Sequence, residues 1–409
     1  MTLTHDGASV TAERGEPLAI ALLAAGRGPL SRSSKLHRPR GAWCLRGGCE
    51  GCLARVDGVP NVMTCRHAVR GGEVVETQNV VGTRKLDALR ATDFLFPRGM
   101  DHHRLFAGVA GLSPVVQRIA RRIAGLGRLP DATRAPVAAE RRETDVLVVG
   151  GGATGLAAAA ALGGRALLVD DDLSPGGTLA LVEPAAAARW LDRARGAGAR
   201  VEQETTALAL TREPPHPEGR LHALLSTPRG AALVLARRVI VASGAHDTPP
   251  TIGNNDLPGV MSARAALRLW RAGVLPAERA VLAGEGPVSD ALAREAGSRM
   301  ALERVTLGAL LGVRGRSAVR GVVLFDGAGE RRVDADALIV DAPRAPSFEL
   351  AVQAGATTRF DPARGFFPVV DDAGLAAPNL WCAGEVAGAA GGSAEDGERV
   401  ARAVARSLG

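Results

Sequence analysis

Apolar and polar positions divide the chain into stretches of different period. Residues 144–172, TDVLVVGGGATGLAAAAALGGRALLVDDD, run from an apolar block through a glycine turn into an alanine-rich helix, a second apolar block and an acid. This order predicts a βαβ unit. Near the N-terminus, ASVTAERGEPLAIALLAAG predicts a strand, a turn and one helix. In SPVVQRIARRIAGLG, Val115, Ile119 and Ile123 recur on one helical face, which predicts an amphipathic helix in an Arg-, Pro- and Gly-rich linker. A buried strand is predicted in RRVIVASGAHDTPP before a Ser243–Gly244 turn, another in NLWCAGEVAG ending in Gly384–Glu385, and another in VDADALIV. These elements give an α/β protein with 1–85 as a ferredoxin-sized domain, 86–142 as a linker, 143–255 with 337–409 as one nucleotide-binding domain, and 256–336 as a reduced second nucleotide-binding segment.

Four of the five cysteines lie between Cys44 and Cys65. A lone fifth cysteine and the absence of a secretory start argue against two disulfides. Four residues separate Cys44 from Cys49, two separate Cys49 from Cys52 and twelve separate Cys52 from Cys65. That is the plant-type [2Fe-2S] order. Three thiolates must converge on one small anionic cluster, so the loop has to curl and aim N–H groups at sulfur, which Gly47, Gly48 and Gly51 permit. Structural zinc is the alternative, but zinc sites pair two short hooks, and here the second is Cys65 alone.

The glycine turn supplies the second candidate site. Gly150, Gly152 and Gly155 form GxGxxG between a strand and a helix, and Asp170 ends the following strand. The first glycine serves the tight turn, the second the approach of a pyrophosphate and the third helix–strand packing, while the acid suits a ribose hydroxyl. The helix N-terminus favours phosphate charge. A second turn, RAVLAGEGPVSDALAREAG, has Gly284 and Gly286 but Ser289 in the third position, and no second strand ending in an acid is apparent after it. It is a weak candidate for holding NAD(H).

Composition narrows the rest. No apolar run reaches the roughly 18–20 residues of a membrane span, and the start has no basic-then-apolar leader, so a cytoplasmic enzyme without an integral membrane segment is expected. The formal charge of +7 invites nucleic acid, but Lys35 and Lys85 are the only lysines, aromatic residues make up 3% and Tyr is absent, leaving little to stack on bases. His102, His103 and His246 form no acid/base constellation and are read as surface or turn residues, Cys382 as a small buried residue, and His37 and Arg38 as residues shaping the cluster loop or an interface.

The segments SPGGTL, with Gly176 and Gly177, RRVIVASGAHDTPP and NLWCAGEVAG resemble the two-dinucleotide-binding flavoproteins of the glutathione- and thioredoxin-reductase type. The resemblance implies an FAD site including Gly176, Gly177, Ser243, Gly244, Gly384 and Glu385, with Glu385 where that group usually carries Asp beside the ribityl chain. Together with SSKLHRPRGAW, ETQNV, FLFPRGM and GAHDTPPTIGNNDLPGVM, the order of parts resembles the alpha subunits of heteromeric sarcosine oxidase and related amine-oxidising complexes. Those of sarcosine oxidase lack the cluster cysteines. Hydrogen cyanide synthase and opine or hydroxyproline dehydrogenase complexes carry a small [2Fe-2S] component. The chain stops at Gly409 without a folate-binding half, so a tetrahydrofolate-linked reaction is not expected.

The resemblance implies an N-terminal ferredoxin-like β-grasp domain and a two-dinucleotide-binding domain. It also implies an electron-transfer role beside an amino acid oxidase-like beta subunit whose own FAD oxidises a small amine, imino acid or opine, with FMN at a subunit interface. An NAD(P)H-dependent FAD/[2Fe-2S] reductase and a nucleotide-holding scaffold are the alternatives.

Overall fold

The computed structural model describes residues 1–34, 36–95, 129–130, 136, 138–212, 219–389 and 391–409. The amphipathic linker helix, His102 and His103 lie outside the described residues. Two compact units form, one from Met1–Arg134 with Pro249–Ala342 and the other from Ala135–Thr248 with Pro343–Gly409.

In the first unit, five short strands make a mixed sheet in the order Ala8–Thr11, Thr2–His5, Val74–Glu76, Leu53–Val56, Val59–Met63. Thr2–His5 runs parallel to Val74–Glu76, and the other neighbours are antiparallel. The helix Leu18–Ala24 buries Leu18, Ala19, Ile20, Ala21 and Leu22. This β-grasp arrangement leaves residues 41–52 as a loop outside the sheet.

The same unit contains 249–342, where four parallel strands stand in the order Val260–Ser262, Ala337–Asp341, Arg279–Gly284, Ala301–Val305. An antiparallel meander follows, Leu310–Gly315, Val319–Phe325 and Glu330–Val333. A second strand, Ala301–Val305, follows the Gly284–Gly286 turn, and as expected it does not end in an acid. One sequence expectation is corrected here. The VDADALIV strand, assigned above to the first nucleotide-binding domain, pairs with Val260–Ser262 and Arg279–Gly284 instead. Alternation marks a buried strand but carries no information about which sheet takes it.

The second unit is built on one sheet. Arg200–Glu202, Ala166–Val169, Glu140–Val149, Gly230–Val241 and Leu380–Cys382 run parallel, and the outer part of Gly230–Val241 continues into an antiparallel ribbon with Leu221–Thr227 and Thr206–Arg212. Val148, Ile240 and Trp381 are in register across the centre. Val148 and Ile240 are fully buried, packed with Leu156 of the helix Ala153–Leu162 and with Val400 and Val404 of the helix Ala394–Ser407. All five parallel strands therefore bring their carboxyl ends, and the turns after them, to one edge, where open α/β sheets bind ligands. Among the described residues no helix is long and apolar enough to cross a membrane.

Candidate metal centre and dinucleotide site

Cys44, Cys52 and Cys65 are buried, Cys49 is half-buried, and all are free thiols. Cys44, Cys49 and Cys52 lie on the loop before the strand Leu53–Val56, and Cys65 sits on the short turn Thr64–Arg66 after Val59–Met63, so the hairpin folds the distant cysteine back onto the loop. Thr64 fastens this closure by donating its hydroxyl to the Cys52 carbonyl at 2.7 Å. The sulfurs fall into two pairs. Cys44 Sγ lies 3.3 Å from Cys49 Sγ and donates to it, and Cys65 donates to Cys52. Sharing a proton in this way pulls the Cys49 thiol down to about 7 and lowers that of Cys52, while their donors Cys44 and Cys65 are pushed up. In the Cys44–Cys49 pair a thiolate is thus within reach near neutral pH.

Backbone N–H groups point at the sulfurs, from Gly47 to Cys65 at 3.2 Å, from Gly51 to Cys49 at 3.4 Å and from Arg46 to Cys44 at 3.5 Å. Gly51 has no alternative, because a Cβ there would stand 2.1 Å from the Gly41 carbonyl oxygen. Among the described residues no three His, Cys, Asp or Glu side chains converge as a single metal ion would need. Two dithiol pairs with N–H donors around them fit a two-iron cluster better than mononuclear zinc.

His37 and Arg38 precede this loop. His37 is fully buried, its Nδ1 3.0 Å from both Asp87 Oδ2 and the Asn79 carbonyl, and Arg38 Nε donates to Asp93 at 2.7 Å. Both act as ties between the loop and 79–93.

In the second unit, Gly150, Gly152 and Gly155 occupy the turn from Glu140–Val149 into the helix Ala153–Leu162, with Gly152 at its N-cap. A Cβ on Gly155 would lie 1.8 Å from the Gly150 carbonyl oxygen, which fixes the helix against the strand. A Cβ on Gly152 would meet nothing within 4 Å. That open cradle at the helix N-terminus is what a pyrophosphate requires. Gly176 and Gly177 close one side, Gly176 donating to the Gly151 carbonyl at 2.7 Å. Asp170 is buried and accepts N–H groups from Gly151 at 2.5 Å and Asp172 at 2.9 Å. Burial outweighs these donors and raises its carboxyl to about 6.

Ser243 and Gly244 lie on the same edge, where the Ser243 hydroxyl donates to the Ser347 carbonyl at 2.7 Å. Gly384 donates to Asp396 at 2.5 Å, and Glu385 pairs with Arg344 at 2.6 Å. Arg344 also donates to Thr178, after the Gly176–Gly177 turn, at 3.1 Å. Sequence reasoning missed Arg344, an isolated arginine among prolines with no local signal, and Thr154, whose buried hydroxyl donates to the Ser393 carbonyl at 3.0 Å beneath Gly384. Cys382 is fully buried, its thiol pushed up to about 12 by desolvation. His246 is exposed on a short strand paired with Ala345.

The second nucleotide turn is filled from within. Gly284 is in register with Asp341, whose Oδ2 accepts the Ser289 N–H at 3.1 Å and lies 3.0 Å from the place of a Gly286 Cβ. Ser289, in the third-glycine position, is fully buried and turns its hydroxyl to the Gly286 carbonyl at 2.9 Å. A carboxylate thus stands where an incoming phosphate would seek the helix N-terminus, and the two would repel.

A family described as a 2Fe-2S iron-sulfur cluster binding domain matches residues 1–80. Hydrogen cyanide synthase subunit HcnA of Pseudomonas aeruginosa is 37% identical over 79 residues, which are 19% of this chain and 75% of that subunit. Sarcosine oxidase subunit alpha of Rhizobium meliloti is 28% identical over 313 residues, 68% of this chain but 31% of the relative, so the chain spans about a third of that subunit. Among solved structures, L-proline dehydrogenase from P. horikoshii superimposes with a TM-score of 0.73 at 21% identity, covering 100% of this chain and 73% of the other. Thioredoxin reductase from T. acidophilum gives 0.52 at 16% identity over 66% of this chain and 100% of the other. At these identities the two structures show a shared fold.

Proposed function

Because the chain belongs to the alpha-type subunits with a [2Fe-2S] domain, among which its curated relatives stand, we propose that it is the flavin- and iron–sulfur-bearing electron-transfer subunit of a heteromeric oxidoreductase. The complex oxidises a small amine, imino acid or opine on a partner flavin subunit. Bound FAD would take up two electrons and release them singly, and a [2Fe-2S] cluster carries one at a time. Cys44, Cys49, Cys52 and Cys65 would ligate the cluster as two pairs. Gly150, Gly152 and Gly155 would hold the FAD pyrophosphate, Asp170 would accept from its ribose, and Gly176, Gly177, Ser243, Gly244, Gly384 and Glu385 would line the remainder, with Arg344 steadying the Glu385 carboxylate. Relatives named for sarcosine, proline and hydrogen cyanide chemistry support a C–N-oxidising complex.

One observation carries the relay reading over an NAD(P)H-dependent reductase. The first nucleotide turn is open at Gly152, and the second is filled by Asp341. A chain built to take hydride from a nicotinamide would need the second turn free. The test is to purify the chain alone and with a candidate flavin-bearing beta subunit, extract the cofactors and follow dye reduction. The reading expects FAD and iron–sulfur absorbance in the chain alone, no amine oxidation without the partner, and amine-dependent dye reduction by the complex. Amine turnover by the isolated chain would overturn it.

A further inference from the structure

The segment NNDLPGVM, residues 254–261, has no part in either candidate site, yet it meets the loop that presents the cysteines. Gly41 donates its N–H to the Asp256 carbonyl at 3.3 Å, and a Cβ at Gly41 would press on backbone atoms of Leu257 and Pro258, both at 3.1 Å. Gly51, between Cys49 and Cys52, leans on Gly41 in turn, with the 2.1 Å approach described above. Trp43, the residue before Cys44, accepts the Ser262 N–H at 2.9 Å through its carbonyl. Its indole packs on the core formed by Leu257, Val260, Val281 and Leu338. Ser262 is itself fixed, since its hydroxyl caps the helix Ala263–Arg271 by accepting from Ala265 at 3.2 Å.

The cysteine loop is therefore stacked, backbone on backbone, against the carboxyl end of the strand Val260–Ser262 and the turn before it. With Asp341 filling the phosphate turn of the same sheet, the unit offers a rigid surface where a nucleotide carrier would keep its strand ends clear. We propose that the second nucleotide-binding unit serves this protein as the seat of the cluster loop, with Trp43 and Gly41 as the positioning residues that transmit its geometry to Cys44 and Cys49. A loop that must curl around a small cluster has little sheet of its own to hold it, and the partners behind the ligands set how firmly metal is kept.

The inference rests on the cluster reading, and its test keeps the two apart. Trp43→Ala and Gly41→Val are compared in the full chain with Arg90→Ala. Arg90 also joins the N-terminal domain to 249–342, donating to Ser317 Oγ at 2.9 Å and to the Arg316 carbonyl, both away from the cysteine loop. In Trp43→Ala and Gly41→Val, iron release to a chelator is expected to accelerate about tenfold or more, the electron paramagnetic resonance spectrum of the reduced cluster to change, and FAD content to stay the same. Arg90→Ala is expected to lower the melting temperature and leave the cluster signals unchanged. Amide exchange over residues 44–47, read on protein stripped of iron, should rise in the first two variants alone. Unchanged release and exchange in Trp43→Ala and Gly41→Val, or equal changes in Arg90→Ala, would overturn the seat. Absence of an iron–sulfur spectrum from the unaltered chain would instead remove the cluster reading, and the exchange data would still decide the seat.

Discussion

Adding one methyl group at Gly152 or at Gly155 separates ligand binding from folding, because the two glycines face different things. At Gly152 the backbone is already in a conformation any residue adopts, φ −71° and ψ −174°, and a Cβ meets no protein atom within 4 Å. Replacing an N-cap glycine by Ala costs a few tenths of a kcal/mol up to about 1. Restricting the unfolded chain returns about 0.4–1 kcal/mol. The two nearly cancel, so Gly152→Ala should melt within about 1–2 °C of the unaltered chain. The methyl group would stand where the pyrophosphate must approach, however. Losing one charge-assisted hydrogen bond there, at about 1.5–3 kcal/mol, weakens FAD by about 10- to 150-fold. At Gly155 the methyl carbon would start 1.8 Å from a backbone oxygen, so the helix Ala153–Leu162 must move off its strand. Overpacking of this kind costs about 1–3 kcal/mol, or about 2–12 °C in a unit of this size. Thermal melts and titration by flavin fluorescence quenching decide the matter. Full FAD affinity in Gly152→Ala, or an unaltered melt in Gly155→Ala, would refute the reasoning.

Serine at any one of Cys44, Cys49, Cys52 or Cys65 should abolish or sharply alter the iron–sulfur spectrum while FAD stays bound, and Cys382→Ser should change neither; a normal spectrum in all four variants would dismiss the quartet. Burial raises the Asp170 carboxyl to about 6 from an ordinary 3.8, so the folded chain binds the extra proton between about pH 4 and 6. The stability of the FAD-free protein should therefore fall as pH rises through that window, and Asp170→Asn should flatten this slope, which melts from pH 4 to 7 would show; equal slopes in both proteins count against the assignment. Mixed with one equivalent of NADH in a stopped-flow instrument, the FAD-loaded chain should show no rapid flavin bleaching, since Asp341 occupies the second turn; rapid stoichiometric reduction would restore the reductase alternative.

Local patterns were legible, and contacts between distant segments were not. The cysteine quartet can be read because three ligands sit within nine residues and their spacing is a loop geometry. The βαβ unit can be read because strand, glycine turn, helix and strand are consecutive. The strand Ala301–Val305 escaped notice because it is the edge of its sheet, half-exposed and carrying Glu303 and Arg304 in place of an apolar run. Asp341 shows the limit most clearly. Its sequence neighbours announce a buried strand with an acid at the end, which also describes Asp170. The sheets give the two acids opposite parts. Asp170 lies beside the open turn at Gly152, accepting the neighbouring Gly151 N–H at 2.5 Å and leaving the cradle free. Asp341 is in register with Gly284 and sets its carboxylate on the turn itself. Two strand-ending acids, alike in pattern, thus lie one beside an open nucleotide turn and one across a closed one. The difference lies in which strand pairs with which, and pairing across some fifty residues is set by the whole sheet and not by the segment that carries the acid.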